Sequence, residues 1–312
     1  MKILMVGAGA LGQVFGLWLA KGGATVSYLV KPGRGGWPEE GRTVFRLRSG
    51  RKPVVERLRP DRVLDDPADG KWDAVWLCVS SDALREPWVA GLRALVGTAT
   101  IVTVGQDLHD RAILARTWPD EQIVQVVPSV LAYQAPLADE VPMAGIAYWL
   151  PPGAAPMVGG TDDRARPVIE ALRAGGVRAK RETRAGTGEL QAALQVPYVA
   201  ALEAVGWSLP ALRAGLRLPS LAAGEALAVV AALNGRKPPR TVAPPWLVGA
   251  LLRLLPRLAP FDLPRYLEAH FTKVGAQTRQ MLDGWINEGK SRGLQVDRLG
   301  ELRQSLSAAA ST

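Results

Sequence analysis

The sequence contains few of the residues that form crosslinks or bind metals. Among its 312 residues there are one cysteine, Cys78, and two histidines. A single cysteine excludes a disulfide within the chain and favours a reducing compartment, so we expect a cytoplasmic protein with no metal site. Cys78 lies in the apolar run WDAVWLCVSS. Burial in such a run raises the pKa of a thiol, which predicts a structural cysteine rather than a nucleophile.

Long uninterrupted apolar runs are also absent. The most apolar late segment, 244–263, is broken by Arg253, Pro256 and Arg257. Its apolar stretches are shorter than the roughly 20 residues that cross a bilayer, so no membrane span is predicted. We expect a buried or interface helix pair here, with peripheral membrane contact as the alternative. The N-terminus MKILMVGAGALG begins directly with a strand-like run and does not resemble a signal peptide.

The composition is that of a globular protein with an excess of positive charge. Hydrophobic residues make up 48% and charged residues 21%, while 38 Lys and Arg against 29 Asp and Glu give a net charge of +9. This balance suits an anionic ligand, although a bias in composition alone would also produce it. No basic run is interleaved with aromatic residues, so nucleic-acid binding is not expected. The length favours two domains.

Strand-like and helix-like runs alternate in the first half, which predicts a parallel sheet covered by helices. After residue 140, GIAYWLP and APMVGG are predicted to complete that sheet. From about residue 187 the helical period dominates, and Pro197 predicts a kink or an early break. We therefore expect an α/β domain over 1–183 and a helical domain over 184–312. The predicted strands are 2–6, 25–30, 73–79, 100–104 and 122–127, and the predicted helices are 10–22, 82–95, 110–117 and 163–174.

The first strand is followed by a glycine-rich turn that opens a helix. Gly7, Gly9 and Gly12 have the spacing GxGxxG of a dinucleotide-binding turn. In that turn the first glycine permits a tight bend, the second lets the backbone approach a pyrophosphate, and the third allows close helix packing. The helix N-terminus, through Ala10 and Leu11, supplies free N–H groups for phosphates. A glycine turn that serves packing alone is the alternative.

No Asp or Glu occurs between Met1 and Pro38. An NAD-preferring protein normally places a carboxylate at the end of the second strand, where it binds the ribose 2′-hydroxyl. Here the corresponding cations are Lys31 and Arg34. Both would attract a 2′-phosphate, so we predict NADP(H) as cofactor. A solvated loop is the other interpretation of these two residues.

With KILMVGAGALG, a basic end to the second strand and a helical second half, the chain resembles the ketopantoate reductase family. The resemblance implies a Rossmann-type domain and a helical domain like the C-terminal domain of 6-phosphogluconate dehydrogenase. It also implies NADPH-dependent reduction of 2-dehydropantoate in the interdomain cleft. The oligomeric state stays open, with a homodimer as an alternative to a monomer. At the cofactor, the positions that correspond to the family's contacts are Val79, Ser80 and Gln106.

The family's catalytic side chains are missing from the matching positions. The resemblance places an essential lysine at Gly188 and two asparagines at Ala192 and Val196. Further departures are Ser80 in place of a lysine, Gln106 and Asp107 in place of Asn and Gly, and Gln277 in place of a glutamate. Glycine cannot act as a general acid, so this departure from the family's residues predicts a substrate other than ketopantoate.

Other side chains are candidates for the proton donor. We expect Lys273, with His109 as the runner-up and Glu189 beside the vacant lysine position. Helical spacing predicts that Lys273 shares a face with His270 and with Gln277. A solvated or capping helix face is the alternative. The sequence therefore favours an NADP(H)-dependent oxidoreductase that reduces a carbonyl or imine of an unidentified small molecule. A catalytically inactive NADP(H)-binding sensor or regulatory protein is the second interpretation, and a membrane-peripheral or partner-binding module is the third.

Overall fold

The computed structural model describes residues 1–31, 33, 36–66, 70–105, 107–182, 186–238 and 243–309. The chain forms two compact units. The first unit comprises Met1–Gly105 and His109–Thr183, and the second comprises Gln106–Leu108 and Arg184–Thr312.

The first unit is built on an eight-stranded sheet. Its strand order is β12-β11-β8-β7-β6-β1-β2-β5, in which neighbouring strands from β8 to β5 are parallel and β11 is antiparallel to β8. The predicted Rossmann-type parallel sheet is thus confirmed. The strands are β1 (Lys2–Val6), β2 (Thr25–Leu29), β5 (Val63–Leu64), β6 (Ala74–Leu77), β7 (Thr100–Thr103), β8 (Ile123–Val127), β11 (Met157–Gly159) and β12 (Lys180–Arg181).

Helices cover both faces of this sheet. They are α1 (Ala10–Lys21), α2 (Trp88–Val96), α3 (Asp110–Leu114) and α4 (Asp162–Ala174). Successive side chains of a strand point to opposite faces. Accordingly Ile3 and Met5 belong to a core cluster with α1 and α4, while Leu4 and Val6 belong to one with α2 and α3. Burial on both faces explains why these strands are almost continuously apolar.

A second sheet, with order β4-β3-β10-β9, was not predicted. The prediction that GIAYWLP completes the main sheet was wrong, because β10 pairs with β3 and β9 instead. Tyr148 of β10 packs edge-on against Trp18 of α1, with ring centroids 5.4 Å apart. α1 therefore lies between two sheets, and its middle turns are buried all round. The strands are β3 (Arg42–Arg48), β4 (Arg51–Leu58), β9 (Leu131–Ala135) and β10 (Gly145–Trp149).

One tyrosine fixes the distance between α1 and β2. The hydroxyl of Tyr28 donates a hydrogen bond to the carbonyl oxygen of Gly12 at 3.0 Å. A Cβ atom at Gly16 would lie 1.9 Å from the same hydroxyl oxygen. The phenol therefore occupies the space that a side chain at position 16 would need.

The second unit is helical, as predicted. Its core includes several small alanines, such as Ala192 and Ala222, around the fully buried Trp285. α5 continues through Pro197 to Ala204, so the early break expected there was wrong. Leu108 also packs against this core. The helices are α5 (Thr187–Ala204), α6 (Leu209–Ala214), α7 (Arg217–Leu233), α8 (Pro245–Leu258), α9 (Leu263–Lys273), α10 (Gly275–Ser291) and α11 (Asp297–Ala309).

Candidate functional site

Two of the three turn glycines are required by the fold itself. Gly7 has φ +99°, and a Cβ atom there would lie 2.6 Å from the carbonyl oxygen of Cys78. A Cβ atom at Gly12 would lie 2.3 Å from the carbonyl oxygen of Gly7. Both contacts are shorter than any that a side chain tolerates against backbone. These two glycines let β1, α1 and the end of β6 approach one another closely.

Gly9 differs, because nothing in the described protein demands a glycine there. Its backbone is extended, with φ −69° and ψ 177°, a conformation open to any residue. A Cβ atom would meet no atom within 4 Å, and Gly9 is exposed. Glycine is a favoured N-cap residue, and at this position it would also let a ligand approach the backbone closely. The residue therefore fits the part that a pyrophosphate-binding turn requires.

The N-terminus of α1 has the properties of an anion site. Gly9 is the N-cap residue, no side chain caps the helix, and no acidic residue lies in its first turn. The first N–H groups of a helix, here those of Ala10, Leu11 and Gly12, have no partners within the helix. They also carry the positive end of the helix dipole. The Gln13 side chain donates to the carbonyl oxygen of Ala8 at 2.7 Å and braces the turn.

Only one of the two predicted phosphate-binding cations can be placed. Lys31 is exposed just after β2, whereas Arg34 lies outside the described residues. A third cation, Arg42, was missed in the sequence. Its guanidinium lies 4.2 Å from the centre of the Trp37 ring, and that ring lies 4.8 Å from the ring of Tyr28 on β2. The position of Arg42 beside Trp37 was not foreseeable from the sequence, because strand β3, which carries Arg42, was itself unpredicted.

The segment after β6 carries the predicted contacts Val79, which is half-buried, and Ser80, which is exposed. Desolvation by burial raises the pKa of the Cys78 thiol to about 12. A thiol with that pKa remains protonated at neutral pH and is a poor nucleophile, which is consistent with the structural role expected for it.

A buried carboxylate joins the segments that follow β6 and β7. Asp110 is 1% exposed, and its Oδ2 accepts a hydrogen bond of 2.8 Å from the Ser81 hydroxyl. Arg85 donates to the carbonyl oxygen of Ser81 and lies 3.9 Å from Oδ1 of Asp110. A Cβ atom at Gly105 would lie 2.1 Å from Oδ2 of Asp110. This carboxylate therefore holds both strand ends in place, and no sequence motif pointed to it.

The candidate site residues that follow β7 differ in burial and in the unit to which they belong. Gln106 lies outside the described residues. Asp107 is 2% exposed and belongs to the second unit, whereas His109 is exposed at the start of α3 in the first unit. His109 does not cap α3 with its side chain. Of the two described side chains, that of Asp107 is buried and that of His109 is exposed to solvent.

The helix α5 carries the positions that the resemblance assigns to catalysis. Gly188 is buried, Ala192 is 1% exposed, and Val196 packs against the core of the second unit. These positions therefore carry no group that could transfer a proton. Glu189 lies half-buried in the first turn of α5, where the helix dipole stabilises its negative charge.

Lys273 is exposed in the last turn of α9. The expectation that it shares a helix face with Gln277 was wrong, because α9 ends at Lys273 and α10 begins at Gly275. Lys273 does influence His270, which is stacked on Tyr266 with ring centroids 5.4 Å apart. Desolvation by burial, followed by the positive charge of Lys273, lowers the pKa of His270. Both effects favour the neutral form of His270.

No family model and no curated sequence matches this chain. Solved structures do match over almost the whole length. The 2-dehydropantoate 2-reductase of Methylococcus capsulatus has a TM-score of 0.74 at 19% identity, covering 99% of this chain and 96% of that one. The enzyme of Geobacter metallireducens GS-15 has a TM-score of 0.73 at 16% identity, covering 99% and 100%. D-mandelate dehydrogenase with NADH and anilino(oxo)acetate has a TM-score of 0.69 at 15% identity, covering 99% and 98%.

These likenesses define a class of fold, with a Rossmann-type unit followed by a helical unit, which this chain shares with 2-dehydropantoate 2-reductases and D-mandelate dehydrogenase. The chain has the ketopantoate reductase fold, which confirms the resemblance seen in its sequence at the level of the fold. At such identities the likeness does not extend to the substrate.

Proposed function

We propose that this protein is a divergent member of the ketopantoate reductase family and an NADP(H)-dependent oxidoreductase. The observation that carries the proposal is Gly9, whose open, exposed backbone lies at a helix N-terminus that no side chain caps. The main chain from Gly7 to Gly12 would hold the pyrophosphate, and Val79, Ser80 and Gln106 are proposed as further cofactor contacts. When bound, the nicotinamide would supply the hydride.

The preference for NADP(H) is proposed from the cations that follow β2. Lys31 is exposed there, and the described residues between Met1 and Pro38 include no carboxylate to repel a 2′-phosphate. Arg34 is proposed as its partner from the sequence. A tenfold preference requires only about 1.4 kcal/mol, which one charge-assisted contact to phosphate can supply.

The substrate is proposed to be a small molecule with a carbonyl or imine group, other than ketopantoate. Gly188, Ala192 and Val196 support this, because none can transfer a proton or hydrogen-bond through its side chain. We propose Lys273 as the proton donor, since it is a long, exposed cationic side chain in the last turn of α9. His109 and Glu189 are the alternative donors. The protein is proposed to act in the cytoplasm, and a homodimer remains a prediction.

The proposal is tested by fluorescence titration with NADPH and NADH. We expect NADPH to bind at least about tenfold more tightly. Lys31→Ala should reduce that preference and leave the affinity for NADH unchanged. Arg51→Ala, which removes an exposed cation from the hairpin between β3 and β4, is the matched control. Equal affinities in the wild type would refute the choice of cofactor.

Turnover is tested separately with a panel of carbonyl and imine compounds. Lys273→Met should abolish turnover and retain NADPH binding, whereas His109→Gln should keep turnover if Lys273 is the donor. Full activity in both variants would refute both assignments. The second candidate function, an inactive NADP(H)-binding sensor, is favoured by the buried Gly188 and Ala192. NADPH binding with no turnover across the panel would support it.

A further inference from the structure

Helix α8 carries an apolar surface that the rest of the described chain does not cover. None of its residues is buried. It contributes six of the fourteen exposed large hydrophobic side chains among the described residues. Apolar surface concentrated in this way marks an interaction site. Neither the proposed cofactor site nor the proposed proton donor involves this helix.

The exposed leucines form one stripe. Leu247, Leu251, Leu254 and Leu258 are spaced by four, three and four residues and therefore lie along one side of the helix. Their exposed fractions are 37%, 47%, 48% and 44%. The opposite side of α8 packs inward, where Val248 and Leu252 contact the core of the second unit. The helix is thus attached along one side and presents a leucine stripe along the other.

Cations and a tryptophan border this stripe. Arg253 and Arg257 are both exposed, and the Arg257 side chain donates to the carbonyl oxygen of Arg253 at 2.7 Å. Trp246 is 73% exposed and lies seven and eleven residues before them, on the same side of the helix. No Asp or Glu occurs between Glu225 and Asp262, whereas five Lys and Arg do.

The charge pattern selects among the surfaces that could cover α8. Two copies related by a two-fold axis would place the same patch against itself. Such an interface would bring two patches of like charge together, and α8 has no acidic residue to neutralise them. A helix with leucines on one side, flanked by arginines and a tryptophan, suits the headgroup region of an anionic bilayer. No helix among the described residues is long and apolar enough to cross a bilayer.

We propose that α8 attaches the protein peripherally to membranes rich in anionic lipids. The leucine stripe enters the interface, and Arg253 and Arg257 contact lipid phosphates. Binding therefore requires both apolar insertion and negative lipid charge. It should weaken as ionic strength rises, because salt screens the attraction between exposed charges.

Co-sedimentation of the full chain with vesicles tests the proposal. We expect binding to vesicles of phosphatidylglycerol and phosphatidylcholine in equal amounts, and little binding to phosphatidylcholine alone. Arg253→Gln with Arg257→Gln should weaken binding about 25-fold, since each cation near an anionic surface contributes about a factor of five. Leu251→Gln with Leu254→Gln should weaken it at least about tenfold for each leucine. Circular dichroism should show native folding, since these side chains are exposed.

Matched controls carry the same changes elsewhere. Leu95→Gln with Leu221→Gln removes two other exposed leucines, and Arg51→Gln with Lys52→Gln removes two other exposed cations. Both controls should bind vesicles as the wild type does. Absence of vesicle binding would overturn the proposal, as would equal binding to neutral vesicles. A wild-type dimer that the Leu251→Gln and Leu254→Gln changes convert to monomer would assign the face to a second copy and also overturn it.

Discussion

Replacing Gly9 by alanine separates binding of the cofactor from stability of the fold. The new methyl group would meet no protein atom within 4 Å, and φ −69° with ψ 177° is accessible to alanine. Alanine is a poorer N-cap residue than glycine, which costs about 0.5–1 kcal/mol. For a unit of this size, that lowers the melting temperature by only about 1–4 °C.

The expected effect on affinity is much larger. In the proposed cofactor site, the methyl group would stand where the pyrophosphate approaches the main chain. Losing one hydrogen bond to a charged group costs about 1.5–3 kcal/mol. Gly9→Ala should therefore weaken NADPH binding about 10- to 150-fold, as measured by fluorescence titration together with a thermal melt.

Two further glycines serve as controls for this prediction. Gly91→Ala places a methyl group in open space on the exposed side of α2, so it should stabilise the protein by about 0.5–1 kcal/mol and leave affinity unchanged. Gly12→Ala should instead lower stability, because its Cβ atom would lie 2.3 Å from the carbonyl oxygen of Gly7. Gly9→Ala protein that binds NADPH as tightly as the wild type would refute the assignment of the turn.

Three other outcomes follow from the structure. Asp110→Asn should lower the free energy of unfolding by about 1–3 kcal/mol in urea, because the buried Asp110 accepts a hydrogen bond from Ser81 as a carboxylate. An unchanged urea midpoint would contradict the role of Asp110 between the ends of β6 and β7. The lowered pKa of His270 means that the unfolded chain binds its proton more readily, so stability is lost as pH falls below about 6.5. His270→Phe should flatten that acid-side loss, and an unchanged pH profile would exclude His270 as its source. Trp285→Ala should cost about 3–5 kcal/mol, because the side chain is fully buried in the helical core; a loss below about 1 kcal/mol would contradict this packing.

The sequence predicted the parallel sheet because its strands are buried on both faces. Runs such as Ile3–Val6 are continuously apolar, and their type is clear from local composition alone. The hairpin of β3 and β4 escaped because its arginines interrupt the apolar pattern. The strand β10 was recognised as a strand and assigned to the wrong sheet. Its partners lie far away in the chain, and no local pattern specifies them.

The part of the candidate site that the sequence indicated is the glycine-rich turn, whose residues would act through their backbone. The turn from Gly7 to Gly12 has a fixed spacing, and close backbone contacts explain Gly7 and Gly12, whereas the role of Gly9 at a cofactor stays a prediction. Asp110 was missed because its role depends on two segments, separated in the chain, that meet at one carboxylate. The shared face of Lys273 and Gln277 failed for a local reason. Gly275 was the available signal for a helix boundary, and the periodicity on either side of it concealed that boundary.

The arrangement of Tyr28 over Gly16 implies a correlation between two positions in related sequences. A Cβ atom at position 16 and a hydroxyl at position 28 compete for one volume, so position 16 cannot gain a side chain while Tyr28 stays. Relatives with alanine at the position of Gly16 should carry a smaller residue at that of Tyr28. An evolving lineage would have to pass through the smaller residue at position 28 first, because the reverse order creates the clash. The structure therefore predicts that position 28 changes before position 16, and reconstructed ancestral sequences would reveal this order.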